Sequence, residues 1–190
     1  MIQSSQLIAI RHAPTTLQGI CYGQSKVPVQ YSASQVAKMI EEQLDEISFI
    51  PNYIWSSPLD RCAQVATLLS QSLLCSLKID TRLLELNFGE WEGKAWADLS
   101  KEDPTRFTNW MENWYTEPAP QGESTQELQA RMSTWLTDLN PEEHHLYIGH
   151  AGPIRAIQVL THSKETWTEA FSCPVQHITP YPFSLKSKMS

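Results

Sequence analysis

Four apolar runs in this chain are each followed by residues able to handle an anion. Arg11-His12 follows Leu7-Ile8-Ala9-Ile10, and Ser56-Ser57-Pro58-Leu59-Asp60-Arg61 follows Tyr53-Ile54-Trp55. Glu85 comes after Leu77-Lys78-Ile79, and His150 after Leu146-Tyr147-Ile148. In open α/β sheets ligands bind beyond the carboxyl ends of the strands. If these runs are strands of one parallel sheet, two arginines, two histidines and a glutamate meet at one edge. Four potential cations gathered in a chain of formal net charge −7 imply a held anion. Phosphate suits them, because arginine offers a planar fork to two oxygens. Helix N-termini expected at Ser57-Pro58 and Gly152-Pro153 would add backbone N–H donors and positive dipole ends. Taken singly, each residue has a structural reading: a histidine at a strand end is usually just hydrogen-bonded, and Arg61 has Asp60 and Glu85 as possible ion-pair partners. Placement at separate strand ends favours a site. On residue types and spacing alone, the reading stops at an anion pocket with histidines.

The elements that must position these groups are legible as alternating strands and helices. Ser32 or Ser34 can cap a helix whose apolar stripe is Val36, Ile40, Leu44 and Ile47. Ser57 as cap and Pro58 at the first helical position open a second helix, with Cys62, Val65, Ala66, Leu69 and Leu73 facing inward. Ser124-Thr125-Gln126-Glu127 is a capping box ahead of Leu128, Met132, Trp135, Leu136 and Leu139. Gly152-Pro153 opens the next helix, and Phe183-Ser184-Leu185 reads as a late edge strand. Residues 86–121 break the alternation. Trp91, Trp96, Trp110 and Trp114 crowd there, which predicts short helices inserted as a cap. The expected architecture is an α/β/α sandwich of three layers around a mostly parallel sheet, a single domain over residues 1–190 with that helical cap. The last residues, from Lys186, are expected to fray.

Composition narrows the alternatives. Apolar residues make up 41% and charged residues 18%, which excludes charge-driven disorder. No stretch approaches the roughly 20 apolar residues of a membrane span. The start of the chain has no basic region ahead of its apolar run and does not read as a signal peptide. The acidic balance opposes nonspecific nucleic-acid binding. Cys21, Cys62, Cys75 and Cys173 are scattered, which fits reduced thiols and a cytoplasmic location. Only His144 and His145 of the six histidines are close neighbours, and no metal site is read. Glycine is scarce: seven residues in four places, each place expected to mark a turn with a task.

With those residues in view the chain resembles a known family. The segments Leu7–Thr15, Ser56–Cys62, Leu84–Gly93, Gly122–Ser124 and Ile148–Gly152 fall in the order and spacing of the histidine phosphatase, or phosphoglycerate mutase-like, superfamily. The loop Gly19–Ser25 and the Phe88-Gly89-Glu90-Trp91-Glu92-Gly93 run resemble α-ribazole phosphatases of cobalamin nucleotide-loop assembly. The resemblance implies a nucleophilic His12 that becomes phosphohistidine, with Arg11, Arg61 and His150 binding the non-bridging oxygens. Glu85 would act as acid toward the leaving oxygen and then as base toward water. An imidazole near its ordinary value of ~6.5 would serve without large tuning. No metal or other cofactor is implied, since fixed cations do the neutralising. Thr15 would add a hydroxyl to the phosphate, its alternative being a hydrogen bond within its own loop. Gln24, and less so Gln18, would contact substrate. Trp110 and Trp114, four apart, would share a helix face on which a flat base could stack; the alternative is that at least three of the four tryptophans only pack the cap. Ala13-Pro14 and Lys26 depart from the family pattern without removing a catalytic group.

The implied function is hydrolysis of a small-molecule phosphate monoester, with α-ribazole 5′-phosphate as first candidate. A broad-specificity sugar phosphatase is the alternative. A mutase-type isomerase is disfavoured by the first motif and the chain length, and an inactive phosphate-binding module by the presence of every core residue. No membrane or nucleic-acid partner is expected, and the sequence does not specify an oligomeric state.

Overall fold

The computed structural model describes residues 6–164 and 166–185. The expected frayed tail from Lys186, and the first five residues, lie outside these. Five strands form one sheet in the order β3-β2-β4-β1-β5. They are β1 (Leu7–Arg11), β2 (Tyr53–Ser56), β3 (Ser76–Ile79), β4 (His145–Gly149) and β5 (Pro180–Phe183). The first four run parallel, with Leu7 and Tyr53 both in register with His145, and β5 adds an antiparallel edge beside β1.

Alternation along the strands divides the core into two halves. Ile8, Ile10, Ile54, Leu146 and Ile148 face α1 (Ala33–Glu46) and α2 (Asp60–Ser72), meeting Val36, Ile40, Leu44, Val65 and Leu69. Leu7, Ala9, Trp55 and Tyr147 face the other way, toward α5 (Thr125–Asp138), α6 (Ala151–Leu160) and α7 (Trp167–Ser172). Three layers result, as expected. The inserted cap consists of α3 (Trp96–Glu102) and α4 (Pro104–Asn113), with two short 3-10 turns, Thr81–Leu83 and Gly89–Trp91, leading into it. Trp91, Leu99, Ala119 and Cys21 form a small separate core beneath these helices.

Several boundaries differ from the sequence reading for identifiable reasons. Ser57 does not cap α2; its hydroxyl accepts from Leu59 N, Leu59 stays extended, and the helix begins at Asp60. α6 begins at Ala151, with extended His150 as the capping residue, so Pro153 lies in the first turn, where its missing N–H costs nothing. The last strand is Pro180–Phe183 rather than 183–185, and shares only Phe183 with the expected run. Its two prolines are tolerated because β5 is an edge. α7, only six residues long, carries too little periodic signal to be read from sequence. Of the two serines considered for α1, Ser32 is the cap, in a box with Gln35.

The Ser124 box forms as read: its side chain accepts from Glu127 N, and Glu127 reaches back to Ser124 N. Because α5 carries Leu128, Met132 and Trp135 onto the sheet, Ser124→Ala is expected to lower unfolding free energy by about 1 kcal/mol in a urea titration. A change indistinguishable from zero would mean that the cap is not holding this helix.

Candidate active site

The two central strands end side by side, and their final residues meet. His12 continues β1 by one residue, its N–H donating to Gly149 O at 2.9 Å. His150 follows β4 directly, and the two imidazole centres lie 5.2 Å apart. Both rings are buried. His12 Nδ1 is 2.7 Å from Ala13 O; a carbonyl only accepts, so the proton sits on Nδ1 and the lone pair on Nε2. Burial first, then the positive neighbours Arg61, Arg11 and His177, push the His12 pKa down to about 3, against the partial support of the Ala13 carbonyl. The expectation of an untuned imidazole is thereby corrected. The ring is held neutral throughout the physiological range, because a charge here would be both desolvated and repelled.

Arg61 reaches the same point from the first turn of α2. It forms no ion pair with Asp60 or Glu85. Instead Nη1 donates to Ser25 O at 2.9 Å, Nη2 to Gly23 O at 2.6 Å, and Nη2 lies 3.4 Å from His150 Nδ1. Arg11 Nη1 donates to Val175 O at 2.8 Å. The Nε–H groups of both arginines are buried and without any partner among the described residues. Two orphaned, charged donors on arginines that act electrostatically on His12 are costly without a partner, and the oxygens of a tetrahedral anion are groups that could satisfy them.

The carbonyls that grip Arg61 belong to a loop organised by Glu92. Its carboxylate accepts from Gln24 N and Ser25 N, both at 2.7 Å, from Phe88 N at 3.3 Å, and from the Ser25 hydroxyl. Burial works to raise its pKa, yet these donors outweigh it and hold the group below the ordinary carboxylate range. Gly23 sits so close to Leu86 O that a Cβ would stand 1.8 Å from it, so only glycine lets the loop lie against the Glu85 segment.

Glu85 lies beyond β3, after the 3-10 turn. Its carboxylate accepts from Leu86 N at 2.9 Å and from Gly152 N at 3.1 and 3.2 Å. Its backbone carbonyl is gripped by Gln24 Nε2 and by Arg131, which also pairs with Glu123 at 2.6 Å. The expected positive end of α6 is therefore engaged by the Glu85 carboxylate. Glu85 also borders a cavity of about 440 Å³, within the ordinary size range for small-molecule sites. Its wall is mostly aromatic and aliphatic, with Phe88, Trp110, Trp114, Trp167 and Phe171 prominent.

The remaining sequence candidates fall in different places. Trp110 and Trp114 both line that cavity, Trp110 stacked on Trp96 with centres 5.9 Å apart and Trp114 edge-on to Phe171 at 5.0 Å. Trp91 is buried in the cap core, with Trp96 and Trp110 packed against it, and of the four rings Trp110 and Trp114 border the cavity. The Thr15 hydroxyl is held by Leu17 O and Tyr22 Oη, the intra-loop alternative. Gln24 braces the Glu85 backbone. Gln18 is exposed. Lys26 forms an exposed ion pair with Asp60 at 2.6 Å.

His177 was not singled out from the sequence. Its Nδ1 lies 2.6 Å from His12 O, its ring 5.4 Å from that of His12, and its backbone bridges Arg11. Arg131, Arg155 and Glu92 were likewise given no role. Only Glu92 stood inside a recognised motif; the others come from helices and loops whose approach depends on the folded chain.

The displaced titration of His12 has a consequence for stability. The unfolded chain protonates this ring near its ordinary 6.5, whereas the folded chain does not until about 3, so protons favour unfolding between those values. His150, lowered chiefly by burial, acts with the same sign. The melting temperature is expected to hold above pH 6.5 and to fall as the pH drops from 6.5 to 5. The accompanying loss of unfolding free energy should be shallower in His12→Asn, by up to one proton's worth of slope, about 1.4 kcal/mol per pH unit. Equal slopes for both proteins would contradict the buried, neutral state of His12.

Comparison with known proteins agrees with this geometry. A relative from Hydrogenobacter thermophilus, named as a candidate phosphoserine phosphatase, is 34% identical over 109 residues, 56% of this chain. The match spans about half of that relative's length, 54%. The adenosylcobalamin/α-ribazole phosphatase of Escherichia coli K12 is 26% identical over 152 residues, covering 77% of this chain and 74% of that protein. The crystal structure of an α-ribazole phosphatase from Shigella flexneri superposes with a TM-score of 0.78 at 21% identity, covering 95% of this chain and 96% of the other, which shows a shared fold. The model of the histidine phosphatase superfamily (branch 1) matches residues 7–177, the span that carries all five of the converging side chains. The chain belongs to the histidine phosphatase superfamily.

Proposed function

We propose that this protein is a phosphomonoesterase that transfers phosphate from a small-molecule ester to His12 and then to water, without help from a metal. The observation that carries the reading is the pair of buried, unpartnered Nε–H groups of Arg11 and Arg61 beside the free Nε2 of His12. In the first step His12 Nε2 forms a bond to phosphorus as the ester P–O bond breaks, and Glu85 gives its proton to the departing oxygen. In the second step a water attacks the phosphohistidine and gives its proton back to Glu85, and inorganic phosphate leaves with His12 restored. Arg11, Arg61 and His150 hold the non-bridging oxygens, where charge accumulates. Burial keeps His12 neutral in the empty site, and the bound dianion offsets the same cations that would otherwise oppose any positive charge on the ring.

The aromatic cavity beyond Glu85 is where the leaving group rests. Its rings favour a flat, apolar body, and among named relatives the α-ribazole phosphatases act on an ester of that kind. α-Ribazole 5′-phosphate is therefore the substrate proposed first. Four free cysteines, two of them buried, fit a reducing cytoplasm as the place of work.

Acid-labile, base-stable label on the protein after brief exposure to a ³²P-labelled ester is expected in the wild type and absent in His12→Ala; label in the variant would reject the nucleophile. Glu85→Gln should lower kcat/KM, which reports phosphoryl transfer to His12, by about a hundred-fold or more for alkyl phosphates while sparing that of p-nitrophenyl phosphate, whose leaving oxygen needs no proton. A Cβ at Gly152 would stand 2.3 Å from Glu85 Oε1, so Gly152→Ala should show the same selectivity. Losses equal for both ester types would refute the acid. α-Ribazole 5′-phosphate should exceed ribose 5-phosphate in kcat/KM by about ten-fold through its base; equality would leave the aromatic wall without a role in selection.

A further inference from the structure

Arg155 is the one basic side chain among the described residues lining the cavity beyond Glu85. It follows Ala151 by four positions and Gly152 by three on α6, so the three share a helix face, and all of them border the cavity. The helix rises 1.5 Å per residue, which sets Arg155 about 5 Å along the axis from Gly152, whose N–H holds the Glu85 carboxylate. Its Nε donates to Ala170 O at 3.2 Å, and its guanidinium carbon lies 4.7 Å from the centre of the Phe171 ring. Those contacts orient the group and supply no negative charge. Among the described residues no carboxylate lies within ion-pair distance of it, while Glu85 and Arg11 act on it with opposite signs.

Glu85, the one carboxylate among the described residues lining this wall, attracts Arg155 from beyond ion-pair distance. The half-buried guanidinium therefore lacks a contacting anion, which is costly until one meets it. Stacking of a flat, neutral leaving group does not require such a cation, and the phosphoryl group is already served by Arg11, Arg61 and His150. With the ester oxygen at Glu85, the part of the alcohol within reach of Arg155 is the part a few bonds beyond that oxygen. We propose that Arg155 is a specificity-determining residue that selects phosphate monoesters whose alcohol carries a carboxylate at that position. This rests on the phosphomonoesterase reading above but not on α-ribazole 5′-phosphate, which carries no carboxylate. It adds to the aromatic wall a second determinant, and a carboxylated ester favoured through Arg155 would displace the ribazole as first substrate.

The test compares esters matched except for the carboxylate: 3-carboxybenzyl phosphate with benzyl phosphate, and phosphoserine with phosphoethanolamine. In each pair the chemistry at the ester oxygen is nearly the same. Wild-type kcat/KM is expected to favour the carboxylated member by about ten- to a hundred-fold, the range of a hydrogen bond to a charged group. Arg155→Met should bring that ratio to near one, and Arg155→Lys should restore part of it, which separates loss of charge recognition from loss of folding. A preference in either pair that Arg155→Met removes upholds the proposal. Equal turnover within both wild-type pairs, or a preference that survives in Arg155→Met, overturns it. Failure to release phosphate from any ester, p-nitrophenyl phosphate included, would instead strike at the phosphatase reading itself.

Discussion

The site rests on a positive cluster held out of water, whose arginines form no ion pair among the described residues. Arg11 and Arg61 bring two guanidinium groups to the buried rings of His12 and His150, and the nearest partners are carbonyls: Val175, Gly23 and Ser25. Carbonyls satisfy donors without cancelling charge. The cluster therefore retains two unfilled donors among the described residues, and burial first, with its positive charge second, keeps the nearby imidazoles neutral. Neutrality leaves the lone pair of His12 available, and in the proposed reaction the residual charge would draw a phosphoryl group to it, one arrangement serving both nucleophile and electrophile.

Holding such a cluster together places demands on distant parts of the chain. Glu92 gathers the backbone of Gln24 and Ser25, and this is what aims two carbonyls at Arg61. Arg131, anchored on Glu123, braces the carbonyl of Glu85, and the α6 terminus clasps its carboxylate. Tyr147 lies beneath the second histidine, its hydroxyl donating to Leu83 O and meeting His150 N at 3.4 Å. His145 offers a useful contrast. Trp55 donates to its Nδ1, and its Nε2–H reaches Asn140 O, so both nitrogens are spent inside the protein. The two kinds of buried histidine differ in what is left over after the protein's own bonds are made.

The cap adds a surface of another character. Its tryptophans divide between a private core around Trp91 and the wall of the cavity that opens past Glu85. Only part of that wall comes from the insertion. Trp167, Phe171 and Arg155 come from α6 and α7, so the cavity wall is shared between the cap and the body of the sandwich.

How much of this was legible in the chain beforehand follows from the range of the forces involved. Periodicity and capping are local, so the apolar stripes of α1, α2 and α5, the Ser124 box and the four parallel strands were open to reading from neighbours in sequence. The convergence of Arg11, His12, Arg61, Glu85 and His150 was also readable, because a parallel sheet brings strand ends to one edge whatever the details. Helix starts at Asp60 and Ala151, the proline-bearing edge strand and short α7 were not, since each is decided by which backbone groups find partners across the fold. The same holds for His177 against His12 and for Arg155 in the cavity wall. Amino-acid order alone names the reactive groups and the edge they share; burial and long-range packing decide which of them stay neutral, which stay unpaired, and therefore what they can do.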